Sequence, residues 1–166
     1  MTRNTPSIHP TKPEDLDELA RVYAAVYGHF QVGEKWTPET ALRLLEYWFR
    51  RNPELCFTAF AGDRPVGAFF ADVKPWWDGN HLVDGEVFVH PDFQKQDIGR
   101  QLSIRLYETA LEKYQVTSFD TYTFRNNGHP LSWYRKQGFA EVTEWSLISG
   151  DVRQALEFLK QEGQQA

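Results

Sequence analysis

Apolar residues along the chain recur with two different periods, one typical of helices and one typical of strands. Spacings of three and four residues predict amphipathic helices over 12–28, 38–51, 98–114, 130–137 and 151–161. Short runs rich in β-branched and aromatic residues predict strands over 7–9, 55–61, 66–73, 82–89, 116–124 and 139–148. Helical and extended segments therefore alternate along most of the chain.

Prolines, glycines and capping residues mark where these elements begin and end. Thr11 is expected to cap the first helix, with Glu14 three residues later. Thr37, followed by proline, has the same position before the second helix, and Asp151 is expected to cap the last one. The polar turns 62–65 and 75–80 join three consecutive strands. The middle of the chain therefore contains a β-hairpin.

The predicted element order, β-α-α-β-β-β-α-β-α-β-α, indicates the fold class. Strands that alternate with helices after a hairpin predict an α/β fold, in which a mixed sheet has helices on both faces. The 166 residues fit one domain over 1–166, with its core over about 7–148 and a C-terminal amphipathic helix over 151–161. In such sheets, ligands bind beyond the carboxyl ends of strands, where neighbouring strands diverge.

Composition and charge exclude several classes of partner. The formal net charge is −5 and no run of Lys or Arg occurs, so neither nucleic acid nor an anionic membrane is expected as a partner. The only cysteine, Cys56, lies in an apolar run and is interpreted as a buried strand residue rather than a nucleophile. The histidines, His81 among them, are isolated in the sequence, and no metal site is expected. No apolar stretch is long enough for a membrane span or a signal peptide, so we expect a cytoplasmic protein.

The stretch from Glu86 to Arg100 runs from a predicted strand through a loop into a predicted helix. A loop at a helix N-terminus offers unpaired backbone N–H groups and suits a diphosphate. Here the chain resembles the GNAT superfamily of acyl-CoA-dependent N-acyltransferases, whose V-x-P loop and Q/R-x-x-G-x-G/A turn hold the pyrophosphate of CoA. The residues that match this pattern are Val89, Pro91, Gln94, Ile98 and Gly99.

A second segment, Asn127 to Phe139, is similar to the N-x-x-A-x-x-x-Y-x-x-x-G-F segment of the same superfamily, with Pro130 in place of the usual alanine. The resemblance implies a mixed, mostly antiparallel central sheet flanked by helices. It also implies acetyl-CoA as co-substrate. The cofactor-binding residues that it implies are Phe88, Val89, Gln94, Lys95, Gln96, Asp97, Ile98, Gly99, Arg100, Asn127 and Tyr134.

Asp97 departs from the superfamily pattern, because it stands where the first glycine of the turn is usual. A carboxylate about 6 Å from a phosphate charge would cost about 0.7–3 kcal/mol, against a helix-end attraction of about 0.3–1 kcal/mol. Aspartate tolerates the left-handed backbone of a glycine site, and we expect its side chain to cap the helix, turned away from the phosphates. Lys95 and Arg100 flank it and add positive potential.

Two side chains are candidates for acid–base chemistry. Tyr134 matches the superfamily tyrosine that points at the CoA sulfur, which implies that it protonates the leaving thiol. Glu86 is the candidate base, since alternation along 82–89 places Asp84, Glu86 and Phe88 on one face of the strand. Asp84 stays open as the alternative base, and a solvated edge position stays open for both carboxylates. The resemblance also implies that the backbone N–H of Val89 meets the oxyanion.

Together these observations predict an N-acetyltransferase that acts on the primary amine of a small molecule. A protein or peptide N-acetyltransferase and a non-catalytic GNAT ligand-binding domain are the alternatives. Trp36, Trp76 and Trp77 lie in loops where the superfamily builds its acceptor pocket, and for each of them pocket and core are equally open. A homodimer is left open as well.

Overall fold

The computed structural model describes residues 6–29, 33–125 and 128–162. Its internal contacts divide the chain into an N-terminal unit, Met1–Thr123, and a C-terminal unit, Phe124–Ala166. We describe each unit by itself, and the single domain expected over 1–166 stays a prediction.

A five-stranded sheet organises the N-terminal unit. Its strands are β1 (Ser7–Pro10), β2 (Cys56–Ala61), β3 (Arg64–Trp76), β4 (Gly79–Val89) and β5 (Val116–Asp120). They lie in sequence order across the sheet, and every neighbouring pair is antiparallel except β4 and β5, which are parallel. The predicted α/β class with a mixed, mostly antiparallel sheet is confirmed.

Three α-helices of this unit cover the two faces of the sheet: α1 (Leu16–His29), α2 (Pro38–Arg51) and α3 (Ile98–Tyr114). Helices α1 and α2 bury one face, with a core that includes Leu19, Tyr23, Leu45, Phe70 and Phe88. Helix α3 buries the other, with a core that includes Leu55, Phe69, Leu82, Leu102 and Leu106. None of the helices that the structure describes has both the length and the apolar composition needed to cross a lipid bilayer.

The helix starts agree only in part with the sequence. Thr37 accepts a backbone N–H from the first turn of α2, as predicted. The cap predicted at Thr11 is wrong: its hydroxyl lies 2.8 Å from that of Thr58 in the sheet. The chain instead enters α1 through a 3-10 turn, where the Lys12 backbone N–H donates to the Asp15 carboxylate at 2.8 Å. Thr11 does not cap the helix because its hydroxyl is engaged with Thr58 of the sheet.

The hairpin of β3 and β4 is longer than predicted. Both strands continue into the stretch expected as a turn over 75–80, and the chain reverses between Trp76 and Gly79. Gly79 has φ +138°, a backbone that glycine adopts easily and other residues rarely do. Because this glycine allows so tight a reversal, the residues on either side remain in the ladder.

A β-bulge interrupts β4 in front of Glu86. Phe70 pairs with Glu86 and Asp72 with Val83, so β4 has one residue more than β3 in this interval. A Cβ on Gly85 would lie 2.0 Å from the backbone oxygen of Phe70, a distance that only glycine avoids.

The bulge also reverses which face of the sheet each residue occupies. Leu82 and Val87 both pack on the α3 side, although uninterrupted alternation would place them on opposite faces. The alternation predicted across the whole of 82–89 is therefore wrong. It holds from Glu86 onward, where Phe88 packs on the side of α1 and α2.

The C-terminal unit contains α4 (Gly128–Lys136) and α5 (Val152–Glu162). Asp151 caps α5 as predicted, since its carboxylate accepts backbone N–H groups of Arg153 at 2.8 Å and of Gln154 at 3.3 Å. After α4, Gly138 has φ +91° and its N–H donates to the Arg135 carbonyl, which ends the helix.

Two strand predictions near the C-terminus fail. The segment 139–148 is turn and irregular chain, and the strand predicted over 116–124 ends at Asp120. A strand needs a neighbour for its backbone hydrogen bonds. The ladder of β5 with β4 ends at the pair Val83 and Asp120, and the described part of the C-terminal unit contains no strand to pair with 139–148.

Candidate active site

Strands β4 and β5 separate halfway along β4. Their parallel ladder extends from Asn80 to Val83 on β4, and the pair Val83 and Asp120 is its last. Strand β4 continues to Val89 without β5 at its side. We call this edge of β4 beyond Val83, which has no paired strand among the described residues, the gap. Such a position at the carboxyl ends of parallel strands is a typical ligand site of α/β sheets. The candidate site residues of the N-terminal unit lie along and just after this part of β4.

The backbone of Val89 faces this gap. The next residue, His90, donates its N–H to the Val66 carbonyl of β3 at 2.8 Å. Hydrogen-bonding groups of successive residues in an extended strand point to opposite edges. The N–H and C=O of Val89 therefore point away from β3, and the side-chain amide of Gln94 donates to that C=O at 3.0 Å. This direction is the one that an oxyanion donor at the gap requires.

Glu86 lies on the same stretch of β4, half buried on the α1 side of the sheet. Its carboxylate accepts a hydrogen bond of 2.9 Å from the hydroxyl of Tyr23 on α1. Burial of Tyr23, followed by the negative charge of Glu86, raises the pKa of the Tyr23 hydroxyl. Tyr23 therefore keeps its proton and remains a donor to the carboxylate. The side chain of the alternative base, Asp84, lies outside what the structure describes.

Tyr23 is a site residue that the sequence reasoning missed, because its position fits the apolar spacing of the first helix. A usable signal was present, since a tyrosine hydroxyl buried among aliphatic residues needs a hydrogen-bond partner.

The three candidate pocket tryptophans have different surroundings. Trp36 is half buried, with its ring 5.1 Å from that of Tyr23 in an edge-to-face arrangement. Its indole N–H donates to the Glu34 carboxylate at 2.7 Å. Trp76 and Trp77 lie at the tip of the β3–β4 hairpin and are 43% and 86% exposed. Trp36 is thus the candidate that packs beside the Tyr23–Glu86 pair.

The loop before α3 has the backbone of an anion site. Lys95 and Asp97 have φ of +59° and +67°, so Asp97 adopts the left-handed conformation that aspartate tolerates at a glycine site. Left-handed residues next to a helix start arrange backbone N–H groups in a concave row that suits an anion. The left-handed backbone at Lys95 and Asp97 and the exposed Lys95 side chain are the features of this loop that suit an anionic ligand.

The Asp97 side chain does not do what the sequence predicted. Its carboxylate makes no cap hydrogen bond to α3 in the described structure, and instead holds the Arg100 guanidinium by two bonds of 2.7 and 2.8 Å. Capping side chains normally come from residues with an extended backbone, whereas Asp97 is left-handed. Arg100 lowers the pKa of Asp97 mainly through this hydrogen bonding, and Asp97 raises the pKa of Arg100. The Asp97 carboxylate thus offsets the positive charge of Arg100, which together with Lys95 was expected to add positive potential at the loop.

Other predicted binding residues have structural partners. The Gln96 amide donates to the Asp92 carbonyl at 3.1 Å, which closes the loop on itself. Ile98 is buried beneath the sheet and anchors the start of α3. The Gly99 carbonyl accepts the Ser103 hydroxyl at 2.9 Å. These residues fix the shape of the loop through contacts inside the protein.

Tyr134 belongs to the C-terminal unit, on α4. It is 7% exposed, and its ring packs at 5.0 Å from that of Trp133 and 5.2 Å from that of Phe139. Its carbonyl accepts the backbone N–H groups of Gln137 and Phe139 at the helix end. Asn127, expected to bind the cofactor, lies outside the described residues. The acid role of Tyr134 stays a prediction.

His81 is isolated in the sequence, but in the structure its side chain has two carboxylate partners. Its two ring nitrogens lie 2.8 Å from the Asp120 carboxylate and 2.9 Å from that of Asp78. Hydrogen bonding to Asp120 contributes most to raising the pKa of His81, and Asp78 adds to it. This bridge joins the hairpin tip to the end of β5, where β4 and β5 begin to separate. Cys56, by contrast, is buried as predicted, and burial raises the pKa of its thiol to about 12.

Comparison with known proteins agrees with this geometry. A family model described as "Acetyltransferase (GNAT) family" matches residues 16–139, well over half of the chain. No curated protein matches the chain in sequence.

Several solved structures share the fold. The protein PH1933 from Pyrococcus horikoshii OT3 is 25% identical with a TM-score of 0.69, and the match covers 87% of this chain and 92% of that one. A possible acetyltransferase from Clostridium difficile 630 is 12% identical with a TM-score of 0.71, covering 88% and 97% of the two chains. The NatC complex bound to Gag peptide and CoA has a chain that is 14% identical with a TM-score of 0.69, covering 83% and 86%.

Proposed function

Because the chain belongs to the acetyltransferase (GNAT) family, we propose that it transfers an acetyl group from acetyl-CoA to the primary amine of a small molecule. One observation carries the proposal: the Glu86 carboxylate and the Val89 N–H lie on the stretch of β4 that continues after β5 has ended. In this proposal Glu86 acts as base and the Val89 N–H as oxyanion donor, both on the part of β4 that follows its ladder with β5.

The loop before α3 would hold the diphosphate of acetyl-CoA, which supplies the acetyl group activated as a thioester. The backbone N–H groups at the start of α3 and the Lys95 ammonium bind the negative charges. The Gln94 amide fixes the end of β4 through its bond to the Val89 carbonyl. The resemblance adds Asn127 and Tyr134 to this set.

The reaction forms a C–N bond and breaks a C–S bond, and both steps move a proton. Glu86 takes the proton that the amine nitrogen loses as it attacks the carbonyl carbon. The Val89 N–H donates to the carbonyl oxygen as negative charge develops there. The sulfur leaves with the electron pair of the C–S bond, and Tyr134 gives it a proton. Glu86 ends protonated and Tyr134 ionised, and solvent restores both.

Electrostatics favours a cationic acceptor. The chain has a net charge of −5, and Glu86 and Glu34 place two carboxylates next to Tyr23 and Trp36. A protonated amine is attracted to such a region and then needs a base to lose its proton. Since the NatC structure contains a peptide as well as CoA, peptides with a free N-terminus are the second class of acceptor to be tested.

The test is a screen of the purified chain with acetyl-CoA against small amines and peptides, measuring free thiol release and acetylated product. We expect release that depends on a small amine and that falls strongly in Glu86→Gln. Preference for peptides would replace the proposed acceptor class. Binding of acetyl-CoA without turnover on any amine would show a non-catalytic ligand-binding domain, and absence of binding would overturn the proposal as a whole.

A further inference from the structure

Tyr23 is the direct link between helix α1 and the candidate base. The two residues are 63 positions apart in sequence, and the Tyr23 hydroxyl donates to Glu86 Oε2 at 2.9 Å. Tyr23 is only 2% exposed, so its hydroxyl is held inside the protein rather than at its surface. A hydrogen bond from a buried donor fixes a carboxylate more firmly than one from water, because the donor cannot diffuse away.

Packing fixes the Tyr23 ring, and therefore its hydroxyl. The rings of Trp36 and Phe88 each lie 5.1 Å away in edge-to-face arrangements, and the ring of Tyr27 lies 4.4 Å away. Edge-to-face pairs are favourable and directional. Three elements thus contribute to the position of one hydroxyl: α1, the segment before α2, and β4.

Several charged groups surround the pair. Besides Glu86, the ionisable groups Tyr27 on α1 and Glu34 before α2 act on the Tyr23 hydroxyl and disfavour its ionisation. On the β3 side of the sheet, the nearest carboxylate along the strand is Asp72, which is paired with Arg51 of α2 at 2.6 Å. Within these surroundings the Tyr23 hydroxyl donates its hydrogen bond to the Glu86 carboxylate.

We propose that Tyr23 is a positioning residue for the base: its hydroxyl sets the orientation of the Glu86 carboxylate and the pH at which that carboxylate loses its proton. A hydrogen bond donated to the ionised form favours it, so Tyr23 keeps Glu86 ionised at lower pH than it would be alone. The inference rests on the proposed role of Glu86 in acetyl transfer, but its first test does not.

That first test follows the Glu86 carboxyl carbon by ¹³C NMR across a pH titration, in wild type and in Tyr23→Phe, with Glu86→Gln to assign the signal. Phenylalanine keeps the ring and removes only the donor. We expect the Glu86 midpoint to rise by about one pH unit. Tyr47→Phe is the matched control, because that hydroxyl is bonded to Arg51 on the exposed side of α2. An unchanged midpoint in Tyr23→Phe would overturn the proposal.

A second substitution guards against poor folding of the phenylalanine variant. 3,5-Difluorotyrosine at position 23 keeps ring and hydroxyl and donates a stronger hydrogen bond, so the Glu86 midpoint should fall. A midpoint that stays constant here also contradicts the proposal.

In the activity assay, the ascending limb of kcat/KM in Tyr23→Phe should move to higher pH by the same amount, with KM for acetyl-CoA within about twofold. If wild type transfers no acetyl group, the proposed function fails. The NMR titration still decides whether Tyr23 controls Glu86.

Discussion

Glu86 reaches its position through an irregularity of a single residue. Without the extra residue at Gly85, alternation would place Glu86 on the α3 side together with Leu82. The bulge turns it instead toward Tyr23. The position of the candidate base therefore depends on a glycine that no residue with a Cβ can replace without a shift of the backbone.

Gly85→Ala tests this dependence. The added Cβ would overlap the Phe70 carbonyl at 2.0 Å, so the bulge must shift. We expect the free energy of unfolding to fall by about 1–3 kcal/mol, together with a loss of acetyl transfer. Gly28→Ala on α1 is the control, since a Cβ there meets nothing within 4 Å and alanine favours helix. Urea denaturation of both variants measures the difference, and equal stability would contradict a tight bulge.

Glu86→Gln should replace the ascending limb that Glu86 controls with one that lies at the pKa of the acceptor amine. Without the carboxylate, turnover uses only amine that is already deprotonated in solution, so the rate follows the pKa of the acceptor amine. Measuring kcat/KM from pH 5 to 9 with two amines of different pKa separates the two cases. A limb that stays in place in the variant would move the role of base to Asp84 or to a water chain.

Tyr134→Phe should lower turnover without abolishing it. A thiol has a pKa of about 8.5, so protonation of the leaving sulfur is a modest demand near neutral pH. We expect kcat to fall more than KM for acetyl-CoA rises. Full turnover across the pH profile would reduce Tyr134 to the packing role seen against Trp133 and Phe139.

At the scale of elements, the loop between β4 and α3 combines a suitable backbone with a mismatched charge. Its left-handed residues suit an anionic ligand, but the Asp97 carboxylate forms an ion pair with the Arg100 guanidinium. Aspartate takes the place of a glycine in backbone conformation only. Its carboxylate bonds to Arg100, three residues later in the first turn of α3.

Asp97→Asn and Asp97→Gly should therefore both tighten CoA binding severalfold at low salt. Removing the carboxylate leaves the Arg100 charge uncompensated near the diphosphate, and the gain should shrink at high salt because exposed charges are screened. Titration calorimetry at two salt concentrations measures it, with Asp63→Asn in the β2–β3 turn as a control for net charge. Weaker binding in both variants would mean that Asp97 directs Arg100 toward the phosphates.

Elements that are determined by local sequence were predictable, and those that need a distant partner were not. Helix α3 occupies the predicted residues 98–114 because its apolar spacing and its own hydrogen bonds suffice. The strand expected over 139–148 has suitable residues but no described partner strand in its own unit. The same difference holds in the site. Motif positions such as Gln94 and Gly99 could be placed from sequence, whereas the bond from Tyr23 to Glu86 joins residues 63 positions apart.

At the scale of the whole molecule, the proposed binding of a diphosphate at the loop before α3 would be coupled to folding. The residues of the N-terminal unit that are proposed to bind the diphosphate lie between β4 and α3, and both elements belong to its central core. A ligand that binds only when these elements are in place stabilises the folded chain by mass action. Stability can therefore report on binding before any acceptor is known.

Acetyl-CoA should raise the Tm of the protein. At a concentration about 100 times its Kd, a ligand adds about 2.7 kcal/mol to the free energy of unfolding, which corresponds to about 5–10 °C for a chain of this size. Acetylpantetheine, which has the thioester but no diphosphate, should give a much smaller shift at the same concentration if the loop before α3 supplies the affinity. Lys95→Gln should reduce the shift with acetyl-CoA and leave that with acetylpantetheine unchanged, since Lys95 is exposed at the loop. Equal shifts from the two compounds, measured by differential scanning fluorimetry, would place the binding energy outside this loop.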